Sequence, residues 1–146
     1  MILEYTLIER NGKKPQKPFF ATGGSAGLDL SVSGDDITVK PGCHTLVQTG
    51  IKTAIPEGYA GLVFVRSSLG IKRGLMLSNS VGVIDSDYRG EILVSLYNTS
   101  SCEQLLKSGE RIAQLVIVPY ICPELVERDE LDETVRGGGG FVSTGK

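Results

Sequence analysis

The chain has 146 residues, the size of one ordinary domain, which excludes a large multidomain enzyme. Lys and Arg total 15 against 17 Asp and Glu, a formal charge of -2, which argues against the basic face that grips nucleic-acid backbone, so no nucleic acid is expected as a partner. At 40% hydrophobic and 22% charged, with no apolar run of about 18 residues, the composition is that of a soluble globular protein without a membrane-spanning helix. The first ten residues carry glutamates and lack a basic start, unlike a signal peptide, so no membrane partner and a cytoplasmic location are expected.

In chain order the apolar pattern has mostly period two. Residues 1–8 read as a strand and 11–18, polar with two prolines, as a loop. Residues 28–32 alternate cleanly, and 36–39 form a short strand closed by the turn Lys40-Pro41-Gly42. Residues 45–55 read as strand with a break at Gly50, followed by the turn Pro56-Glu57-Gly58. Tyr59–Val65 is apolar and β-branched, a buried strand. Residues 75–84 and 91–98 flank the polar stretch 85–90, a hairpin signature. Residues 111–120 form a strand stopped near Pro119 and Pro123, with 124–128 as a short edge strand. One or two helical turns at most are expected, at Ser67–Arg73 or at residues 102–107. Turns recurring roughly every 8–12 residues suggest a β-sandwich or barrel.

The reactive residues are few. His44 is the single histidine, beside Cys43 after a turn, and the two read as ordinary strand residues. The cysteines, Cys43, Cys102 and Cys122, form no CxxC pair, which argues against a disulfide framework or a zinc site. Glycine is abundant at 19, and five of the last ten residues are glycine, so residues 136–146 read as a flexible arm. Gly140 to Lys146 fits the G-x-x-x-x-G-K pattern of a phosphate-binding loop. No helix and no Ser or Thr follows it, so that reading lacks its structural context.

Three further clusters hold chemistry. Arg66-Ser67-Ser68-Leu69-Gly70 leaves an apolar strand with a guanidinium and two hydroxyls, a candidate anion cradle. In residues 82–90, Asp85 and Asp87 flank Ser86 beside Tyr88, as a backbone-driven turn or as carboxylates that orient water. Asp29 sits between Leu28 and Leu30, where an acid is costly unless paired or near a cation such as Mg²⁺. Arg136, Ser143 and Thr144 suit an anion, and Phe141 on a polar arm suits stacking on a base.

Taken together, these clusters resemble the five ordered motifs of the trimeric deoxyuridine triphosphate nucleotidohydrolases, the dUTPases. Ala26-Gly27-Leu28-Asp29-Leu30 resembles the first and Arg66-Ser67-Ser68-Leu69-Gly70 the second. Residues 82–90 resemble the third, Gly109-Glu110-Arg111-Ile112-Ala113-Gln114 the fourth, and residues 136–145 the fifth. The resemblance covers essentially the whole chain. It implies an all-β, jelly-roll-like β-barrel of the β-clip type over residues 1–135, with residues 136–146 as a flexible Gly-rich arm. It also implies a homotrimer with shared active sites, the arm of one chain closing a site built by the others.

The activity implied is hydrolysis of dUTP to dUMP and pyrophosphate, with Mg²⁺ on the triphosphate. Asp85 would activate the attacking water. Tyr88 would pack on the deoxyribose, while Asn79 and the backbone at Val83, Ile84 and Leu93 would read uracil. Arg66, Ser67, Ser68 and Gln114 would hold phosphates, and Asp29 would reach the metal through water. Arg136, Ser143 and Thr144 would bind the γ-phosphate, and Phe141 would stack on the base. Val65, Ser68 and Val142 depart from the commoner Pro, Gly and Gly of the family. Two alternatives are a dCTP deaminase-like enzyme and a non-catalytic binding module on the same fold. The deaminases carry a glutamate where this chain has Ser95, which cannot shuttle a proton at neutral pH.

Overall fold

The computed structural model describes residues 1–140. In chain order the elements are β1 Glu4–Leu7, β2 Phe19–Phe20, β3 Leu28–Ser31, β4 Ile37–Val39, β5 His44–Gln48, β6 Ile51–Ala54, β7 Tyr59–Val65, α1 Ser67–Arg73, β8 Leu75–Leu77, β9 Gly82–Ile84, β10 Leu93–Asn98, β11 Gln104–Leu106 and β12 Arg111–Pro119. Every pairing is antiparallel. The largest sheet has the order β2-β3-β12-β7-β9. A second has β5-β10-β8, and β1-β6 and β11-β4 are two-stranded. Strands distant in sequence are thus neighbours in space, as in the jelly-roll-like all-β fold expected, although the ladders do not run unbroken around a closed barrel.

Alternation explains the core. Leu28 and Leu30 of β3, Val94 and Leu96 of β10, and Leu75 and Leu77 of β8 all point inward and are buried. Each such side chain contributes about 1.5–3 kcal/mol through burial. The seven-residue α1 is too short to hold itself together in water. It is fixed by Leu69, buried in the core, and ended by Gly74 in the left-handed conformation at φ 63°.

Several elements differ from the sequence expectation. Residues 75–84 form two strands. Ser80 takes φ 63° in a tight turn, and β9 then leaves to pair with β7 instead of continuing beside β10. The stretch 102–107 contains strand β11, because Leu106 is wanted in the core and the buried Asn98 amide staples the Cys102 and Val39 carbonyls together. No strand forms at 124–128, where Leu125 and Val126 stay exposed. Strand β2 was not expected, since two residues show no periodicity. His44 lies in β5 and Cys43 just before it. The break at Gly50 is as expected: its φ is +70°, and a Cβ there would sit 2.7 Å from the Pro15 ring. No helix among the described residues is long and apolar enough to cross a membrane.

Candidate active site

Register aligns the first and fourth clusters. In the large sheet, Phe19, Asp29, Gln114 and Phe64 lie opposite one another across four strands, so all four share one face. Arg66 lies two residues beyond Phe64 and projects from that same face. Arg111 needs a different reason, because it lies three positions from Gln114, an odd spacing that would put it on the other face. A bulge between Arg111 and Ala113 shifts the register and turns Arg111 toward Asp29.

The buried acid is therefore paired. Arg111 Nη1 donates to Asp29 Oδ2 at 2.8 Å, and Arg66 Nε lies 3.3 Å from Oδ1. The Asp29 side chain is 8% exposed, and two guanidiniums satisfy its charge where an unpaired carboxylate would be costly. Arg111 also lies over the Phe19 ring, 5.9 Å from its centre. Gln114 is packed closely against Gly27: a Cβ there would come within 2.9 Å of Gln114 Oε1. Together Ala26, Gly27, Asp29, Arg66, Ser67 and Gln114 line an open cleft of about 470 Å³. Ser68, expected among the anion ligands, is half-buried in α1 and does not line it.

The third cluster lies elsewhere. Asp85 follows β9 and is exposed, with Tyr88 N–H donating to its carbonyl across a tight turn at 3.2 Å. Arg89 Nη1 holds that turn by donating to the Ser86 and Tyr88 carbonyls at 2.6 and 3.0 Å. Asp85, Asp87, Arg89, Glu57 and Tyr120 line a separate concavity of about 580 Å³. It shares no residue with the Asp29 cleft.

Between the two strands of this region the ladder splits. Strands β8 and β10 are paired at Leu77–Leu96, and Ser78 N–H still donates to the Ser95 carbonyl at 2.9 Å. Beyond that point β9 departs to β7 while β10 stays with β5. Asn79, Val83, Ile84 and Leu93 belong to this fork, so the residues expected to read a base lie along diverging strands. Ser95, at the position where the deaminases carry glutamate, shares a 2.7 Å hydrogen bond with Ser78, which in turn bonds His44 Nδ1 at 2.8 Å.

Arg136 is exposed in a turn, its Nε donating to the Gly139 carbonyl at 2.8 Å, and lines neither concavity. Phe141, Val142, Ser143 and Thr144 lie outside the described residues, as does most of the G-x-x-x-x-G-K stretch. Sequence reasoning missed the supports of the site. Arg73 donates to Glu110 at 2.6 Å and to Gln104 at 2.9 Å, tying α1 to the fourth cluster. Glu91 carries the end of the third. Nothing in the period-two pattern marks such long-range pairs.

For a metal, the described residues hold no group of three or more His, Cys, Asp or Glu side chains able to bind an ion. Asp29 has an arginine on each oxygen and spare lone pairs only. This donor set fits a Mg²⁺ carried by phosphate oxygens and met by Asp29 through water, and does not fit an ion caged by protein alone.

Comparison with known proteins finds relatives along nearly the whole chain. Residues 15–145 match the family model described as dUTPase. The deoxyuridine 5'-triphosphate nucleotidohydrolase of Hydrogenobaculum sp. (strain Y04AAS1) is 47% identical over 139 residues, 95% of this chain and 96% of that protein. The enzyme of the same name from Acinetobacter baumannii is 48% identical, covering 96% and 95%. Among solved structures, the Staphylococcus bacteriophage 80alpha dUTPase with dUPNHPP superposes with a TM-score of 0.83 at 29% identity, covering 99% of both chains. Similarity this close, sustained from the first motif to the last, leads to one conclusion: the chain belongs to the dUTPase family.

Proposed function

We propose that this protein hydrolyses dUTP to dUMP and pyrophosphate, removing dUTP and supplying dUMP for thymidylate synthesis. The observation that carries the reading is the cross-strand row that gathers Asp29, Arg66 and Gln114 in one cleft of a chain with dUTPase relatives. Arg66 offers a guanidinium, and Ser67 and Gln114 offer further donors, to the oxygens of a triphosphate. Ser68 stands behind them in α1. Asp85, exposed and held by its turn, orients and activates water for in-line attack at the α-phosphorus. Tyr88 lies against the deoxyribose, and Asn79 with the backbone at Val83, Ile84 and Leu93 reads uracil in the fork between β9 and β10. Mg²⁺ on the triphosphate neutralises charge, with Asp29 reaching it through water. Positioning and charge neutralisation carry the reaction, with no covalent intermediate.

The clefts holding Asp29 and Asp85 are separate in one chain. This favours a homotrimer in which each site takes Asp85 from one copy and the phosphate cleft from another. Residues 1–135 form the barrel domain and 136–146 the arm, with Arg136, Phe141, Ser143 and Thr144 closing over the γ-phosphate and base. The location is cytoplasmic, with neither nucleic acid nor membrane as partner. The test is pyrophosphate release from dUTP, with dCTP and dTTP as controls. Release from dUTP alone supports the reading. Ammonia release from dCTP, or no turnover at all, overturns it.

A further inference from the structure

We infer that Arg10 and Glu91 are a positioning pair that fixes the ring of Tyr88 and thereby sets the preference for deoxyribose over ribose. The inference rests on the proposed dUTP activity and extends it to residues outside the five motifs. Tyr88 is 43% exposed and could swing, yet its ring folds back over Gly90. A Cβ on Gly90 would collide with the Tyr88 hydroxyl and with the ring carbon that bears it. The hydroxyl donates to the Glu91 carbonyl at 3.0 Å, its hydrogen bond among the described residues. The place of the ring therefore depends on the place of the Glu91 backbone.

Glu91 is held by three donors. Arg10 Nη1 and Nη2 reach its two carboxylate oxygens at 3.2 and 2.5 Å, a two-pronged pair, and Gly50 N–H donates to Oε1 at 2.7 Å. The pair is largely buried, with side chains 25% and 11% exposed. Each partner sits on stiff backbone. Arg10 opens a two-residue turn in which Asn11 and Gly12 take φ 50° and 72°, and Arg10 and Lys13 exchange backbone bonds at 3.1 and 2.8 Å. Gly50 is pressed against Pro15.

A buried ion pair adds little net stability over apolar packing, so its value here lies in fixed geometry. Discrimination by a ring that leaves no room for a 2′-hydroxyl is only as sharp as the ring is still. A misplacement of about 1 Å can cost about a hundredfold. The chain of supports runs from the N-terminal turn through the ion pair to the phenol.

The experiment measures kcat/KM for dUTP and for UTP on the full chain. Arg10→Ala is expected to lower the dUTP-to-UTP ratio by about fivefold or more, and Arg10→Lys, which keeps charge but loses the fork, to recover part of it. Tyr88→Phe lowers the ratio by itself, and Arg10→Ala adds nothing further in that background. If Arg10→Ala does not fold, Glu91→Gln carries the same expectation. A ratio within about twofold of wild type in the folded variants, with both rates falling together, makes the pair merely structural and overturns the inference. A wild-type protein without dUTP turnover overturns the underlying reading itself. One that prefers dUTP while its variants keep that preference overturns only this inference.

Discussion

The floor of the phosphate cleft and the loop that carries Asp85 are built in opposite ways. The floor lies on three adjacent strands, and its acid is buried between two arginines at 2.8 and 3.3 Å. The loop stands at the edge of the same sheet, beyond β9, and Asp85 is exposed on a turn held by backbone carbonyls and one arginine. The groups proposed to bind a highly charged substrate are fixed by the same pairs that stabilise the sheet. The group proposed to act on water stands on an exposed turn outside the core. Damage to the two regions should therefore look different: in the floor it reaches stability and binding together, and in the loop it reaches turnover alone.

The sharpest break of that contrast is Asp85→Asn. The amide keeps the shape and loses the charge that activates water, so kcat should fall by about 10²–10⁴-fold with the thermal midpoint unchanged. Single-turnover rates within about threefold of wild type would falsify Asp85 as the base. Next comes deletion of residues 136–146. Arg136 lines neither concavity and packs in a turn of its own, so truncation should remove most dUTP hydrolysis, about tenfold or more, without loss of thermal stability. Full activity after truncation excludes the arm from the site.

Asp29→Asn tests the floor. Two guanidiniums lose their anion in a mostly buried place, so stability should drop by about 1–3 kcal/mol in urea denaturation, and KM should rise as Arg66 loosens. A rise in KM with no change in stability would mean that Asp29 serves substrate alone. The smallest effect is expected at Lys13→Ala. Lys13 hydrogen-bonds Asp35 at 2.7 Å and, with its charge, holds that carboxyl below the usual range, but both groups are exposed. Any contribution from Asp35 is present at neutral pH and lost as pH falls through its lowered pKa. At neutral pH the midpoint of Lys13→Ala should match wild type, as for most surface pairs.

Most of the strands were legible because alternation marks half-buried surface: Tyr59–Val65 matches β7 end to end, and Gly50 interrupts where expected. Asp29, Arg66 and Gln114, read from three separate motifs, come together in one cleft. Three features were not legible. The bulge before Ala113 breaks the period that alternation relies on, so the pairing of Arg111 with Asp29 could not be read from spacing. The departure of β9 to β7 depends on Gly82 fitting against Val63, a contact between residues 19 positions apart. The Arg10–Glu91 pair spans 81 positions and has no local signature. Long-range register and ion pairing are tertiary choices, and they are where the chain placed the supports of its site.

Each site is proposed to draw Asp85 and the phosphate cleft from different copies of the chain, and mixing of subunits tests that sharing. Asp85→Asn and Arg66→Ala proteins, each inactive alone, are unfolded together in equal amounts, refolded and assayed for pyrophosphate release from dUTP. Random assembly should restore about a quarter of the wild-type sites, since a site then meets an intact Asp85 and an intact Arg66 from separate chains. A refolded mixture that forms mixed oligomers yet stays as inactive as its parents would contradict the account, because it would mean that both residues must come from one chain.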